Sequence, residues 1–127
     1  MNITKGDIDK LTYRIIGCAI EVHKYLGPGL LESTYQRCFC HALSLKNMIH
    51  INQLLIPLNY KGIIIDSEYR LDTIVGNLII VELKAIEAML PVHEAQVLTY
   101  MKLLKKPKGI LINFNCTNIF KGGQKHL

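Results

Sequence analysis

The sequence predicts one domain of the α/β or α+β class. Three observations carry that prediction. Two N-terminal segments and one later segment space their apolar residues at helical intervals, while the stretches between are short and rich in β-branched residues. The order is two helices, a run of strands, one helix, then one or two strands. The chain has 127 residues, 50% hydrophobic and 20% charged, enough to build a core without metals or bridges and too apolar for a disordered chain.

The first helix is expected from Asp7 to Leu26, with Leu11, Ile15, Ala19 and Val22 on one side and Thr4 or Asp7 as its cap. Gly27-Pro28-Gly29 stops it, because glycine accepts a left-handed end and proline cannot continue the ladder. A second helix runs from Leu30 or Leu31 to about Leu45, closed by Lys46-Asn47. From Ile49 to Leu58 the texture turns β-branched, and Pro57 marks an edge strand or a bulge. Lys61-Gly62 is a turn, and 63–66 and 69–75 are strands. Gly76-Asn77 makes 69–75 and 78–85 an antiparallel hairpin. Val92 to Leu104 is helical again, Pro107 ends it, and Lys108 to Phe114 is an apolar strand. Asn118 to Lys121 is a candidate further strand, and 122–127 is expected to be a loose tail.

Composition narrows the function classes. No apolar run approaches the ~18 residues of a membrane span, and the N-terminus lacks the apolar stretch and cleavage site of a signal peptide. The expectation is a cytoplasmic protein. Fifteen Lys and Arg against ten Asp and Glu give a net charge of +5, which permits an acidic partner without demanding one. Cys18, Cys38, Cys40 and Cys116 include no Cys-x-x-Cys pair, so buried thiols are the plain reading. A zinc site on Cys38, Cys40 and His41 is the sharper alternative, but it lacks a second ligand pair.

The chemistry concentrates between Tyr69 and Lys84. Alternate strand residues share a face, so Glu82 and Lys84 point the same way. The hairpin brings Asp72 alongside Glu82, and two carboxylates and an ammonium then meet in an otherwise apolar sheet. Such charges are costly to bury unless paired or bound to a metal. The plain alternative is a solvated face with a surface ion pair worth at most ~1 kcal/mol, which the apolar flanks of this strand weaken. Glu32 falls in the first turn of the second helix, where the dipole favours a carboxylate in any case. Gln96 and Tyr100 lie four apart and share a helix face, which His93 can join. His23 and Tyr25, before the Gly27-Pro28-Gly29 turn, read either as capping or core residues or as members of the site.

Gly29-x-x-Glu32-x-x-Tyr35 resembles the GxxExxY proteins, a branch of the PD-(D/E)xK nuclease superfamily. The resemblance continues through Ile20 to His23, Leu26 to Gly29, Tyr69 to Asp72, Ile80 to Ala85, Pro91 to Gln96 and Leu111 to Phe114. It implies a restriction-endonuclease-like core: a mixed four-stranded sheet flanked by helices, with the site at one sheet edge. It implies metal-binding roles for Asp72 and Glu82, with Glu32 as an additional helix acid. Lys84 is then the catalytic cation, and Gln96 with Tyr100 resembles the Gln-x-x-x-Tyr element of RecB-like nucleases, which supports the site or contacts the strand. The segment after Asp72, from Thr73 to Asn77, departs from the pattern: it is short and barely polar, leaving little there to read a substrate.

The implied activity is hydrolysis of DNA with Mg²⁺ or Mn²⁺, ions that take hard oxygen ligands and keep several waters. Lys102, Lys105, Lys106 and Lys108 could hold phosphates, although a solvated helix end explains them as well. A catalytically silent binding or scaffold module is the competing reading. A two-fold dimer placing one site on each DNA strand is a further expectation, since so small a domain offers little surface to grasp a duplex.

Overall fold

The computed structural model describes residues 2–66 and 69–127. The expected strand boundaries near 66–69 therefore fall partly outside the described residues. Those residues form α1 (Lys5–Leu26), α2 (Glu32–Leu45), β1 (His50–Leu55), β2 (Leu58–Tyr60), β3 (Ile63–Ile65), β4 (Arg70–Val75), β5 (Ile79–Lys84), α3 (Pro91–Leu104), β6 (Lys108–Asn113), α4 (Ile119–Gly122) and β7 (Gln124–His126). Five strands make one mixed sheet in the order β1-β4-β5-β6-β7, and β2 and β3 form a separate hairpin. The sheet thus has one strand more than the four the family resemblance implies.

Local chemistry accounts for the elements. Thr4 caps α1 reciprocally: its hydroxyl accepts from the Asp7 N–H, and the Asp7 carboxylate accepts from the Thr4 N–H. Gly27 and Gly29 take φ of 71° and 97° in the link to α2, which few other residues would tolerate. Lys61 and Gly62 both have positive φ and join β2 to β3 as a two-residue hairpin loop requires. Pro57 follows β1, which is an edge strand, consistent with its missing N–H.

Helices cover both sheet faces. On one, α1 and α2 pack Ile15, Ala19, Phe39 and Leu43 against Val81, Leu83, Ile110 and Ile112. On the other, α3 packs Val97 and Tyr100 against Ile74, Ile80 and Leu111. The α3 crossover makes β5 and β6 parallel. It fits closely because Gly109 has no side chain: a Cβ there would stand 2.5 Å from Val97 Cγ1 and 2.8 Å from Met101 Sδ.

Three expectations are corrected. The β4–β5 loop holds three residues, not two: Leu78 belongs to it, Val75 pairs with Ile79, and the Leu78 N–H donates to the Val75 carbonyl. Residues Ile119–Gly122 form a helical turn capped by Asn118 instead of a strand, since the Asn118 side chain accepts from the Lys121 N–H. The tail is not loose over its length: Gln124–His126 add an antiparallel strand to β6.

Candidate metal and nuclease centre

The site forms where the β4–β5 ladder stops. Regular pairing ends at Thr73 and Val81. One step further, side chains replace the ladder. The Asp72 N–H donates to Glu82 Oε1 at 2.9 Å, and the Leu83 N–H donates to Asp72 Oδ2 at 2.9 Å. Each carboxylate therefore satisfies an amide on the other strand. No backbone or amide N–H among the described residues reaches the second oxygen of either.

The other flank of Asp72 is irregular too. On β1, Asn52 pairs with Thr73 and Leu54 with Leu71, which leaves Gln53 opposite Asp72. Gln53 has φ of 53° inside a strand, a conformation that costs a non-glycine residue on the order of 1–3 kcal/mol. Beyond it the face alternation of β4 breaks: Leu71 joins the same buried cluster as Ile74, three residues on. Asp72 is thus set at a local distortion in β4.

Glu82 is 3% exposed. Burial and then the Asp72 charge push its carboxyl up from the ordinary 4.5 to about 9, against the opposing pull of the Asp72 N–H and the Lys84 charge. Lys84 follows two residues on, on the same strand face, and is half-buried. The one ion pair among the described residues joins Lys125 to Glu94 at 3.8 Å, so the Lys84 ammonium is not locked onto either carboxylate. Asn113 brackets the segment leaving β5: its side chain accepts from the Ile86 N–H at 3.1 Å and donates to the Ile86 carbonyl at 2.9 Å.

Two helices approach the pair. From α3, the Gln96 amide donates to the Tyr100 hydroxyl at 2.9 Å. Tyr100 is buried, and burial first and the Glu82 charge second raise its pKa. From α2, the Gln36 amide donates to the Asp72 carbonyl at 3.2 Å and to Thr73 Oγ1 at 2.8 Å. The carbonyl oxygen of Gln36 is buried without a partner among the described residues.

Glu32 stands one helical turn before Gln36, on the same face, at the N-terminus of α2. Tyr35 fixes that end of the helix. Its hydroxyl donates to the Gly27 carbonyl and accepts from the Leu30 N–H, and its ring stacks on Phe114 with centroids 4.5 Å apart.

The expected site residues therefore divide. Asp72 and Glu82 are in contact, Lys84 shares the face of Glu82, and Gln96 and Tyr100 are joined beside them. Glu32 is exposed and does not complete a third ligand: no group of three or more His, Cys, Asp or Glu side chains gathers among the described residues. The same holds for Cys38, Cys40 and His41; Cys40 instead bonds to Asn52 and lies near Thr73. Lys102 and Lys105 fall toward the far end of α3. The strand after them begins with Lys108 paired to Ile79, whereas Lys84 pairs with Asn113 at the other end of the ladder. Lys106 reaches Asn77 in the β4–β5 loop, at the end remote from the acids.

Gln36, Gln53 and Asn113 were not singled out by sequence. Gln36 has an available signal in its i+4 spacing from Glu32, and Asn113 in the Leu111 to Phe114 stretch of the resemblance.

A mixed sheet with helices on both faces, carrying an acid on one strand and Glu-x-Lys on the next, is the arrangement of the PD-(D/E)xK class. A family model described as the PD-(D/E)XK nuclease superfamily matches residues 9–126, and the chain belongs to that superfamily. Its members are mostly nucleases, and membership implies a nucleic-acid substrate. No curated protein and no solved structure matches the chain. No helix among the described residues is long and apolar enough to cross a membrane.

Proposed function

We propose that the chain is a divalent-metal-dependent nuclease hydrolysing DNA phosphodiester bonds, from the GxxExxY branch of the superfamily. The carrying observation is the pair Asp72 and Glu82, held together by each other's backbone amides, with Lys84 two residues beyond. The branch assignment rests on Gly29-x-x-Glu32-x-x-Tyr35, whose tyrosine here ties the loop to the helix that carries Glu32.

The donor set fits Mg²⁺ or Mn²⁺. Both carboxylates are hard ligands, each with one oxygen that no backbone amide among the described residues holds, and Mg²⁺ is commonly held by one or two carboxylates plus waters. Asp72 and Glu82 would hold the ion, and Glu32, exposed at the start of α2, would join them only if that end of the helix closes onto the pair. When bound, the cation supplies charge against the scissile phosphate and acidity to the attacking water. Glu82 would have to give up its proton to serve as a ligand. Lys84, without a carboxylate partner among the described residues, stabilises negative charge developing on the phosphate. Gln96 and Tyr100 support the site, and Lys102 and Lys105 attract backbone phosphates further along the strand.

The test is cleavage of single-stranded, duplex and branched DNA with Mg²⁺ or Mn²⁺, wild type beside Lys84→Ala. The expected loss is at least about 100-fold, as for removal of one transition-state donor. Equal behaviour on every substrate defeats the catalytic reading. One observation favours a catalytically silent binding or scaffold module instead: both carboxylates already serve backbone amides and Glu82 retains its proton. Mn²⁺ calorimetry separates the two, because the silent module takes up no metal at millimolar concentration. The dimer and the cytoplasmic location belong to the same proposal. Light scattering that finds only a 14.4 kDa species rejects the dimer.

A further inference from the structure

We infer that the substrate is a single strand of DNA, and that an unpaired base beside the cut phosphate seats in the cavity between Tyr69 and α3. This rests on the nuclease reading above and adds to it the form of the substrate. The cavity measures about 410 Å³ and is walled by Leu58, Tyr69, Val92, Gln96, Tyr100 and Leu103. That is small-ligand size, with room for one nucleoside and none for a duplex.

Position identifies the occupant. Tyr100 belongs to the cavity wall and lies within reach of the Glu82 charge, and Gln96, bonded to Tyr100, lines the same wall. Whatever fills the cavity lies next to a phosphate held at the carboxylates. The walls are mostly apolar, so a second phosphate gains nothing there. A flat aromatic ring with polar edges gains from both kinds of wall. Tyr69 is 39% exposed and Val92 64%, so the cavity opens to solvent with an aromatic ring and an aliphatic side chain at its walls. The polar groups are uncommitted in a useful way. Gln96 spends its amide on Tyr100, which leaves its carbonyl and the Tyr100 O–H for a base edge. His93, also on the wall, accepts the Leu90 N–H at Nδ1, which leaves Nε2 to carry the ring proton. Duplex bases are stacked and paired and cannot enter without being flipped out. A single strand presents its bases freely, and stacking on tyrosine is tolerant of sequence.

The experiment measures binding, by fluorescence anisotropy with Ca²⁺ present. The probes are a short labelled single strand, the same strand with every base removed, and the matching duplex. The intact strand should bind about 10-fold or more tightly than the abasic strand, the loss expected for a missing base–aromatic stack. It should also bind more tightly than the duplex. Tyr69→Ala, and Ala95→Trp which fills the cavity from the exposed side of α3, should each bring intact and abasic strands within about twofold. Both variants are checked for an unchanged melting temperature. Equal binding of intact and abasic strands, equal binding of the duplex, or a gap that survives both substitutions overturns the inference. Mn²⁺ calorimetry on the same protein keeps the two readings apart. Metal uptake without base preference defeats this inference alone. Base preference without metal uptake defeats the nuclease and leaves the cavity as a single-strand seat.

Discussion

Asp72 and Glu82 hold each other through the backbone: the amide of Asp72 binds the Glu82 carboxylate, and the amide of Leu83 binds the Asp72 carboxylate. The arrangement substitutes for a missing step of the β4–β5 ladder, so it costs the sheet no unsatisfied amide. Its cost is electrostatic. Burial first, and then the Asp72 charge beside it, disfavour the ionised Glu82 carboxyl, so it keeps a proton.

Stability without metal should therefore fall as pH rises. The native Glu82 carboxyl titrates at about 9, above its ordinary 4.5. Between those values the folded chain holds a proton that the unfolded chain has released. The contribution is complete below about pH 4.5 and is lost as pH climbs through 9. Melting temperatures in chelator should decline from pH 5 to pH 9 more steeply for wild type than for Glu82→Gln. At pH 9 the variant should be the more stable by at least one pK unit's worth, about 1.4 kcal/mol. Added Mn²⁺ should restore the wild type and not the variant. Parallel slopes for the two proteins would refute the assignment of the proton to Glu82.

Metal affinity should rank the three acids. Asp72 and Glu82 are already in contact, whereas Glu32 is exposed at the start of α2. Asp72→Asn or Glu82→Gln should weaken Mn²⁺ binding by more than about 10-fold, exceeding the lower bound for loss of an outer-shell partner. Glu32→Gln should have the smaller effect, read by calorimetry at fixed pH. An equal loss for all three would mean that α2 closes onto the pair when metal binds.

Tyr35→Phe isolates the tyrosine of the Gly-x-x-Glu-x-x-Tyr pattern. The ring keeps its stack on Phe114, and only the hydroxyl's two bonds, to Gly27 and Leu30, are lost. The expected cost is about 1–2 kcal/mol, seen as a lower denaturation midpoint with an unchanged slope. Mn²⁺ affinity should hold, because the acids on β4 and β5 are untouched. A collapse of metal binding instead would make the loop part of the site.

Which features could be read from sequence follows from how local their causes are. The helices were legible because Leu11, Ile15, Ala19 and Val22 repeat at 3.6 residues, and the stop at Gly27-Pro28-Gly29 needs no tertiary information. The pairing of Asp72 with Glu82 was legible in kind but not in register. A two-residue loop at Gly76-Asn77 would have set Asp72 opposite Val81, and Leu78 joining the loop moves it to Glu82. The last strand was hidden because Gln124–His126 is three residues after two glycines, and only pairing to β6 makes it a strand. Gln53 sits opposite Asp72 and Asn113 bonds to Ile86, both far along the chain, which no spacing rule reports. The remoteness of Lys105 from the acids follows from the parallel β5–β6 register, likewise a tertiary fact.

Gly109→Ala should loosen the helix that carries Gln96 and Tyr100. A methyl group there would meet Val97 Cγ1 at 2.5 Å and Met101 Sδ at 2.8 Å. Methionine can turn aside, since its chain is long and flexible. Val97 cannot, because it is β-branched, fully buried and held in the cluster with Ile80 and Leu111. Helix α3 must then move off the sheet, at about 1–3 kcal/mol for overpacking. Because Tyr100 rides on the same helix one turn along, within reach of the Glu82 charge, the shift should also alter the surroundings of Glu82. The double substitution Gly109→Ala with Val97→Ala removes the collision but opens a gap of its own. A cycle of the four proteins should therefore show a favourable coupling of about 1 kcal/mol or more between the two sites. Strictly additive losses would mean that the methyl is accommodated elsewhere and that Gly109 does not set the seat of α3.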